Sequence, residues 1–179
     1  MSKNILVILA HSDIEASVAN ARLVEELEGV ENVSVRALKS LYPDGEIDVY
    51  AEQDALLQAD KVVFQFPLYW FNCPPILKEY LDMVFSYGFA FELDEYGYSA
   101  RALKDKEFML AVTAGGEEEL YNAKNATSVE SCMVPFYETA KFVGMKSVEP
   151  FYLYGAMPEL IKEEALTEKA ISYKEAILK

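Results

Sequence analysis

Residues that build metal centres are nearly absent from this sequence. Its only histidine is His11, and its two cysteines, Cys73 and Cys132, stand far apart, so there is neither zinc-ligand spacing nor a Cys-x-x-Cys motif. No metal is expected. Two such cysteines suit a reducing cytosol, where each serves as a small buried hydrophobe. Basic residues are scarce as well: sixteen Lys and Arg face thirty Asp and Glu, for a formal charge of −14. That charge repels nucleic acid phosphates and anionic lipid heads, and neither is an expected partner. Long apolar runs are missing too. The run Ile5 to Ala10 falls far short of the roughly 18 residues a membrane span needs. The opening MSKNILVILAHS has no small-residue cleavage site, so no membrane insertion and a cytoplasmic location are expected. Neither G-x-G-x-x-G nor a Walker lysine follows the first apolar run, which argues against a dinucleotide fingerprint or a P-loop kinase.

What the sequence does have is alternation. With 52% hydrophobic and 26% charged residues and a mean hydropathy of +0.03, the composition is that of a globular chain, read as one domain over 1–179. Short apolar runs near 4–10, 33–37, 61–66, 107–113 and 147–153 predict strands. Amphipathic segments near 17–28, 51–58, 74–86, 128–143 and 159–177 predict helices. The runs ILVILA, KVVFQF and FMLAVT are apolar almost throughout, as parallel strands covered on both faces must be. The expectation is an α/β, doubly wound, five-stranded parallel sheet with helices on both faces. The long stretch 86–106, rich in Tyr and Gly, reads as an insertion, and the last amphipathic segment as a helix packed on the sheet.

Ligands of open α/β sheets sit outside the carboxyl ends of the strands, so the segments after strands one, three and four belong together. The first, AHSDIEASVANA, supplies His11, Ser12, Ser17 and Asn20 ahead of a helix, where N–H groups favour a phosphate; Ser12 or Asp13 acting only as a helix cap is the alternative. The second, PLYWFNCPP, puts Pro67, Leu68, Tyr69, Trp70 and Phe71 where a polar turn is normal. A rigid apolar ledge for a large planar ring such as a flavin is one reading, and an aromatic dimer contact is the other. In the third, TAGG, Gly115 and Gly116 permit close backbone approach, or form an ordinary turn.

Taken together, ILVILAHS, Ser17 and Asn20, FQFPLYWFNCPPILKEYLDMVF, YGFAF, TAGGEEELY and VGMKSVEPFYLYG resemble the NAD(P)H:quinone reductase family. That family includes the DT-diaphorases and the bacterial ancillary proteins of glutathione-gated potassium efflux. The resemblance spans about residues 4–156. It implies a flavodoxin-like fold, a homodimer, a bound FMN (or FAD), NAD(P)H as co-substrate and a quinone as acceptor. It places His11, Ser17, Val18 and Asn20 at the phosphate and Leu68 to Phe71 beside the ring. Thr113, Ala114, Gly115, Gly116 and Tyr121 fall at the pyrimidine edge, with Tyr121 the candidate catalytic group. Phe89, Ala90 and Phe91 fall on the substrate side, closing over the ring from the partner subunit.

The sequence departs from the family at two points. Where mammalian members carry a histidine six positions after the tyrosine, this chain has Thr127, and the second threonine of a TTGG motif is Ala114. A tyrosine–histidine relay is therefore lacking. Instead, Thr127 to Glu130 reads as a capping box whose helix end could assist Tyr121 in holding negative charge. Two other functions fit the resemblance and the acidic surface: a regulatory subunit docking on a potassium-efflux antiporter, and a one-electron flavodoxin-type carrier.

Overall fold

In the computed structural model, which describes residues 2–179, the apolar runs form β1 (Ile5–Leu9), β2 (Val33–Ala37), β3 (Lys61–Pro67) and β6 (Glu107–Thr113). The hairpin strands β4 (Phe91–Asp94) and β5 (Gly97–Ala100) lie between the last two, and the fifth expected strand is split into β7 (Lys146–Ser147) and β8 (Phe151–Leu153). The expected helices are α1 (Ala19–Glu25), α3 (Val49–Gln58), α4 (Pro75–Val84), α6 (Val129–Phe142) and α7 (Glu163–Leu178). Two short ones, α2 (Leu38–Leu41) and α5 (Glu118–Asn122), are added.

The main sheet is parallel in the order β2-β1-β3-β6-β7, with β8 also paired to β6. Chain order reverses beside β1, between β2 and β3, as in a flavodoxin-like doubly wound fold. The split in the fifth strand has a local cause. Val148 still donates to Phe108 O at 2.9 Å, but Pro150 has no N–H to continue the ladder, a defect that an edge strand tolerates.

Successive side chains of a strand point to opposite faces, and here both faces are covered. Leu6, Ile8, Phe64, Phe66, Phe108 and Leu110 pack with residues of α3, α4 and α6, whereas Ile5, Val7, Val63 and Met109 pack with Leu23 of α1 and Leu166, Tyr173 and Ile177 of α7. Full burial of such a side chain contributes about 1.5–3 kcal/mol, so neither face can be left open. Residues 86–106 are more ordered than an insertion suggests. Phe91 packs on Phe142 at 5.3 Å and on Tyr98 at 5.9 Å. Gly144 ends α6 with φ of +74°, and a Cβ there would lie 2.7 Å from that of Ala100; only glycine lets the hairpin base approach this closely.

Helix ends show which polar groups position the layers. Asp48 accepts from Ala51 N at 3.0 Å to cap α3, and Ser128 accepts from Ser131 N at 3.1 Å to cap α6. The capping box expected at Thr127 and Glu130 is thus displaced by one residue, since the hydroxyl that reaches a free N–H is Ser128. At carboxyl ends, lysines do the work. Lys106 Nζ donates to Ala59 O at 2.6 Å, just beyond α3, and buried Lys61 Nζ donates to Ile177 O at 2.9 Å. Replacing Lys61 with Met strips a donor from the end of α7 and should cost about 1–3 kcal/mol. Urea denaturation measures this: an unchanged midpoint would show that the ammonium contributes nothing.

Candidate functional site

A cavity of about 260 Å³ opens at the carboxyl ends of β1, β3, β6 and β8. From the β1–α1 segment it is lined by His11, Ser17, Val18 and Asn20; from the end of β3 by Pro67, Leu68 and Tyr69; and from the end of β6 by Thr113 and Gly115. The register pairs Pro67 with Thr113, and Leu68 N donates to Thr113 O at 2.7 Å, which locks the second and third segments side by side.

The β1–α1 segment is held by its own side chains. Asp13 Oδ1 accepts from Ala16 N at 3.2 Å, Ser17 Oγ accepts from Asn20 N at 3.1 Å, and the Ser12 and Tyr69 hydroxyls meet at 3.2 Å. The N–H groups of Val18 and Ala19 have no acceptor among the described residues. They are therefore free to bind an anion. Asn20 also has a part within the protein. It is buried, its Nδ2 donates to Thr113 Oγ1 at 2.8 Å, and both its Oδ1 and its carbonyl accept from Gln65 Nε2. Its Oδ1 and one hydrogen of its Nδ2 are thus committed to the protein.

No lysine or arginine lines the cavity. Burial lowers the His11 pKa, against the raising influence of Asp13. His11 Nδ1 accepts from Asp13 N at 3.1 Å, so the neutral imidazole carries its hydrogen on Nε2. A smaller hollow of about 150 Å³ lies beyond His11. Its Lys39 ammonium is turned to Pro43 O, and Asp13 and Glu15 line it too.

The aromatic loop is a two-residue turn. Tyr69 N donates to Asn72 O at 2.8 Å and Asn72 N returns a bond to Tyr69 O at 3.0 Å, with Trp70 at φ +48° and Phe71 at φ +62° between them. Positive φ at both central positions is the type I′ pattern, which favours Asn-Gly. Here it holds Trp70 and Phe71, two of the loop's three aromatic side chains. Trp70 is 94% exposed and Phe71 56% exposed, both at the rim and outside the cavity lining.

Comparison with known proteins identifies the family and fold. Residues 3–177 match the model of a family described as having a flavodoxin-like fold. The chain belongs to that family. General stress protein 14 of Bacillus subtilis (strain 168) is 44% identical over 84% of this chain and 85% of its own length. The glutathione-regulated potassium-efflux system ancillary protein KefF of Klebsiella aerogenes is 37% identical over 97% and 94%. Among solved structures, general stress protein 14 of Treponema denticola in complex with FMN is 33% identical, covers 97% of each chain and has a TM-score of 0.85.

Within this flavodoxin-like chain the remaining expected residues fall into three groups. Ala114 is buried, with its N–H on Leu153 O at 2.8 Å, and presents no side chain to the cavity. Gly116 and Tyr121 pack on each other: a Cβ at Gly116 would lie 3.2 Å from Tyr121 Cε2, and Tyr121 stacks on Tyr154 at 5.7 Å. Phe89, Ala90 and Phe91 are not brought to the cavity of their own chain. Ala90 is fully buried in the core, Phe89 packs against that core, and Phe91 joins the cluster with Tyr87, Tyr98 and Phe142.

Ala156, Met157 and Pro158 line the cavity without having been expected. They follow β8, so the rule applied to strands one, three and four would have found them had it been extended to strand five. Gly155, at φ +62°, donates to Gly116 O at 2.8 Å, and a Cβ there would strike the Glu117 carboxylate at 3.0 Å. The strained turn yields a prediction. Left-handed backbone costs a bulky residue about 1–2 kcal/mol, and exposed Trp70 has little packing to lose. Trp70→Gly should raise the ligand-free unfolding free energy by about 1 kcal/mol. Calorimetry checks this; a less stable variant would show that the turn holds Trp70 without strain.

Proposed function

We propose that this protein is an FMN-dependent NAD(P)H:quinone oxidoreductase acting by ping-pong two-electron transfer. The observation that carries this reading is the pairing, in one cavity, of two free N–H donors at Val18 and Ala19 with an apolar wall at Pro67, Leu68 and Tyr69. A phosphate fits the first and the edge of a planar ring the second. FMN is favoured over FAD because no cationic side chain lines the cavity, and two free N–H groups suit one phosphate rather than a pyrophosphate. The FMN held by the Treponema relative supports the same choice.

When bound, the flavin supplies the redox chemistry, taking hydride from a nicotinamide and passing two electrons to a quinone. The chain's own residues bind, orient and stabilise. Gly115 and Thr113 bring backbone and hydroxyl to the cavity, and Met157 closes against Gly115, where a Cβ would lie 3.2 Å from its Cγ. Tyr121 OH has no hydrogen-bond partner among the described residues and lies near the Gly116 backbone. In this reading its hydroxyl donates to negative charge developing beside the glycine pair, without a histidine. Phe89 and Phe91 serve a second copy: a homodimer lays the hairpin insertion over the partner's cavity, and the exposed rings of Trp70, Tyr87 and Tyr98 are the apolar area it would cover. The location proposed is cytoplasmic.

Releasing the cofactor from purified protein and weighing it tests the reading directly. FMN is expected, and a colourless protein that neither FMN nor FAD reconstitutes would sink it. Steady-state kinetics with NAD(P)H and menadione should give parallel double-reciprocal lines, because one site serves both substrates in turn. Tyr121→Phe should slow reduction of bound flavin by roughly 10- to 150-fold with flavin retained, the scale of one hydrogen bond to a charged group. Equal stopped-flow rates would excuse Tyr121.

A second role is favoured by the likeness to KefF, which extends over 97% of this chain: docking on a potassium-efflux antiporter as an ancillary subunit. Co-purification with such an antiporter from membranes would support it, and its absence under conditions that retain a bona fide pair would count against it.

A further inference from the structure

A buried polar chain links the last helix to the cavity, and its direction can be worked out bond by bond. Tyr173 of α7, fully buried, lies 2.9 Å from Gln65 Oε1. Gln65 Nε2 lies 3.1 Å from Asn20 O and 3.3 Å from Asn20 Oδ1, and Asn20 Nδ2 lies 2.8 Å from Thr113 Oγ1. A backbone carbonyl can only accept. The nitrogen of Gln65 must therefore face Asn20, so its oxygen faces Tyr173 and receives the phenolic hydrogen. Asn20 must then accept through Oδ1 and donate through Nδ2, so Thr113 Oγ1 is the acceptor of that last bond. The Thr113 hydroxyl hydrogen has no acceptor among the described residues, and Thr113 lines the cavity.

We propose that Gln65 and Tyr173 are positioning residues that turn the Thr113 hydroxyl into a one-way donor aimed at the cavity, selecting a ligand with a hydrogen-bond acceptor at that point. This rests on the flavin reading above, whose ring and ribityl chain carry such acceptors. The buried amides leave little alternative: reversing Gln65 would set its oxygen against the Asn20 carbonyl, and reversing Asn20 would set its nitrogen against Gln65 Nε2. Tyr173 touches no ligand and acts from the helix behind the sheet. Burial raises its pKa, so it remains a donor across the working pH range.

The test is a double-mutant cycle read by FMN titration of the flavin-free protein. Thr113→Val keeps the shape without the donor and should weaken FMN about 3- to 10-fold, the value of one neutral hydrogen bond; Thr113→Ser should restore it. Tyr173→Phe should weaken FMN by a similar factor in the wild-type background and by less than about 2-fold beside Thr113→Val, since both remove one effect. Additive losses, or no loss from Tyr173→Phe, would overturn the proposal, whereas failure of the wild type to bind FMN would overturn the flavin reading instead. A ligand-free measurement covers that case. The side-chain amide protons of Gln65 and Asn20 should exchange slowly in the wild type and at least 10-fold faster in Tyr173→Phe by NMR; unchanged protection would show that Tyr173 does not hold the chain.

Discussion

Burial of β3 at every one of its positions is the constraint on which the rest of the structure depends. A central parallel strand with helices on both faces is built of apolar residues, yet β3 carries two polar ones, Lys61 and Gln65, and each must find partners inside the protein. A buried polar group left unpaired costs about 1–3 kcal/mol. Lys61 finds the carbonyl end of α7, and Gln65 finds Tyr173 on α7 and Asn20 on α1. One strand therefore holds the last helix at two points and the first helix at one. Because β3 and β6 are in register from Lys61 and Glu107 to Pro67 and Thr113, satisfying Gln65 also sets where the mouth of the cavity lies.

The rim is built on the opposite principle, by spending stability. A type I′ turn is cheap for Asn-Gly and strained for Trp-Phe, and the strain is contained by rigid neighbours. Tyr69 and Asn72 exchange two hydrogen bonds, Asn72 Oδ1 accepts from Cys73 N at 2.8 Å, and Pro74 and Pro75 open α4. Nothing in the monomer rewards exposing a tryptophan this way. A local conflict that the surroundings are built to sustain points to a surface awaiting something flat and apolar.

The fold was legible in the sequence because its main signal is coarse: apolar runs of strand length, buried on both faces, separated by amphipathic segments. What escaped was decided by single atoms or by tertiary neighbours. The missing N–H of Pro150 splits the edge strand, and whether 86–106 is a loop or a hairpin depends on Phe91 meeting Phe142. At the site, the segments after β1, β3 and β6 were found because topology gathers them. Those after β8 follow from the same rule, which had not been carried to the last strand. The bonds of Asn20 to Gln65 and Thr113 could not be read from the sequence, because the direction of a carboxamide depends on what faces it. Ala90 sits in a motif whose other members are half-exposed, and nothing in its identity reveals that it points inward.

Charge limits how this site can hold an anion. The chain carries −14 overall, the cavity has no lysine or arginine, and burial disfavours the charged form of its one histidine. Helix α1 has only seven residues, so its dipole adds little beyond its free N–H groups. An anion bound there would have to be recognised by donors held in place rather than by net positive charge, and a hydrogen bond loses strength steeply as its angle departs from linearity. A site of this kind is only as good as the rigidity of its first turn. That turn is tied through Asn20 to Gln65, and through Gln65 to a tyrosine on the far helix.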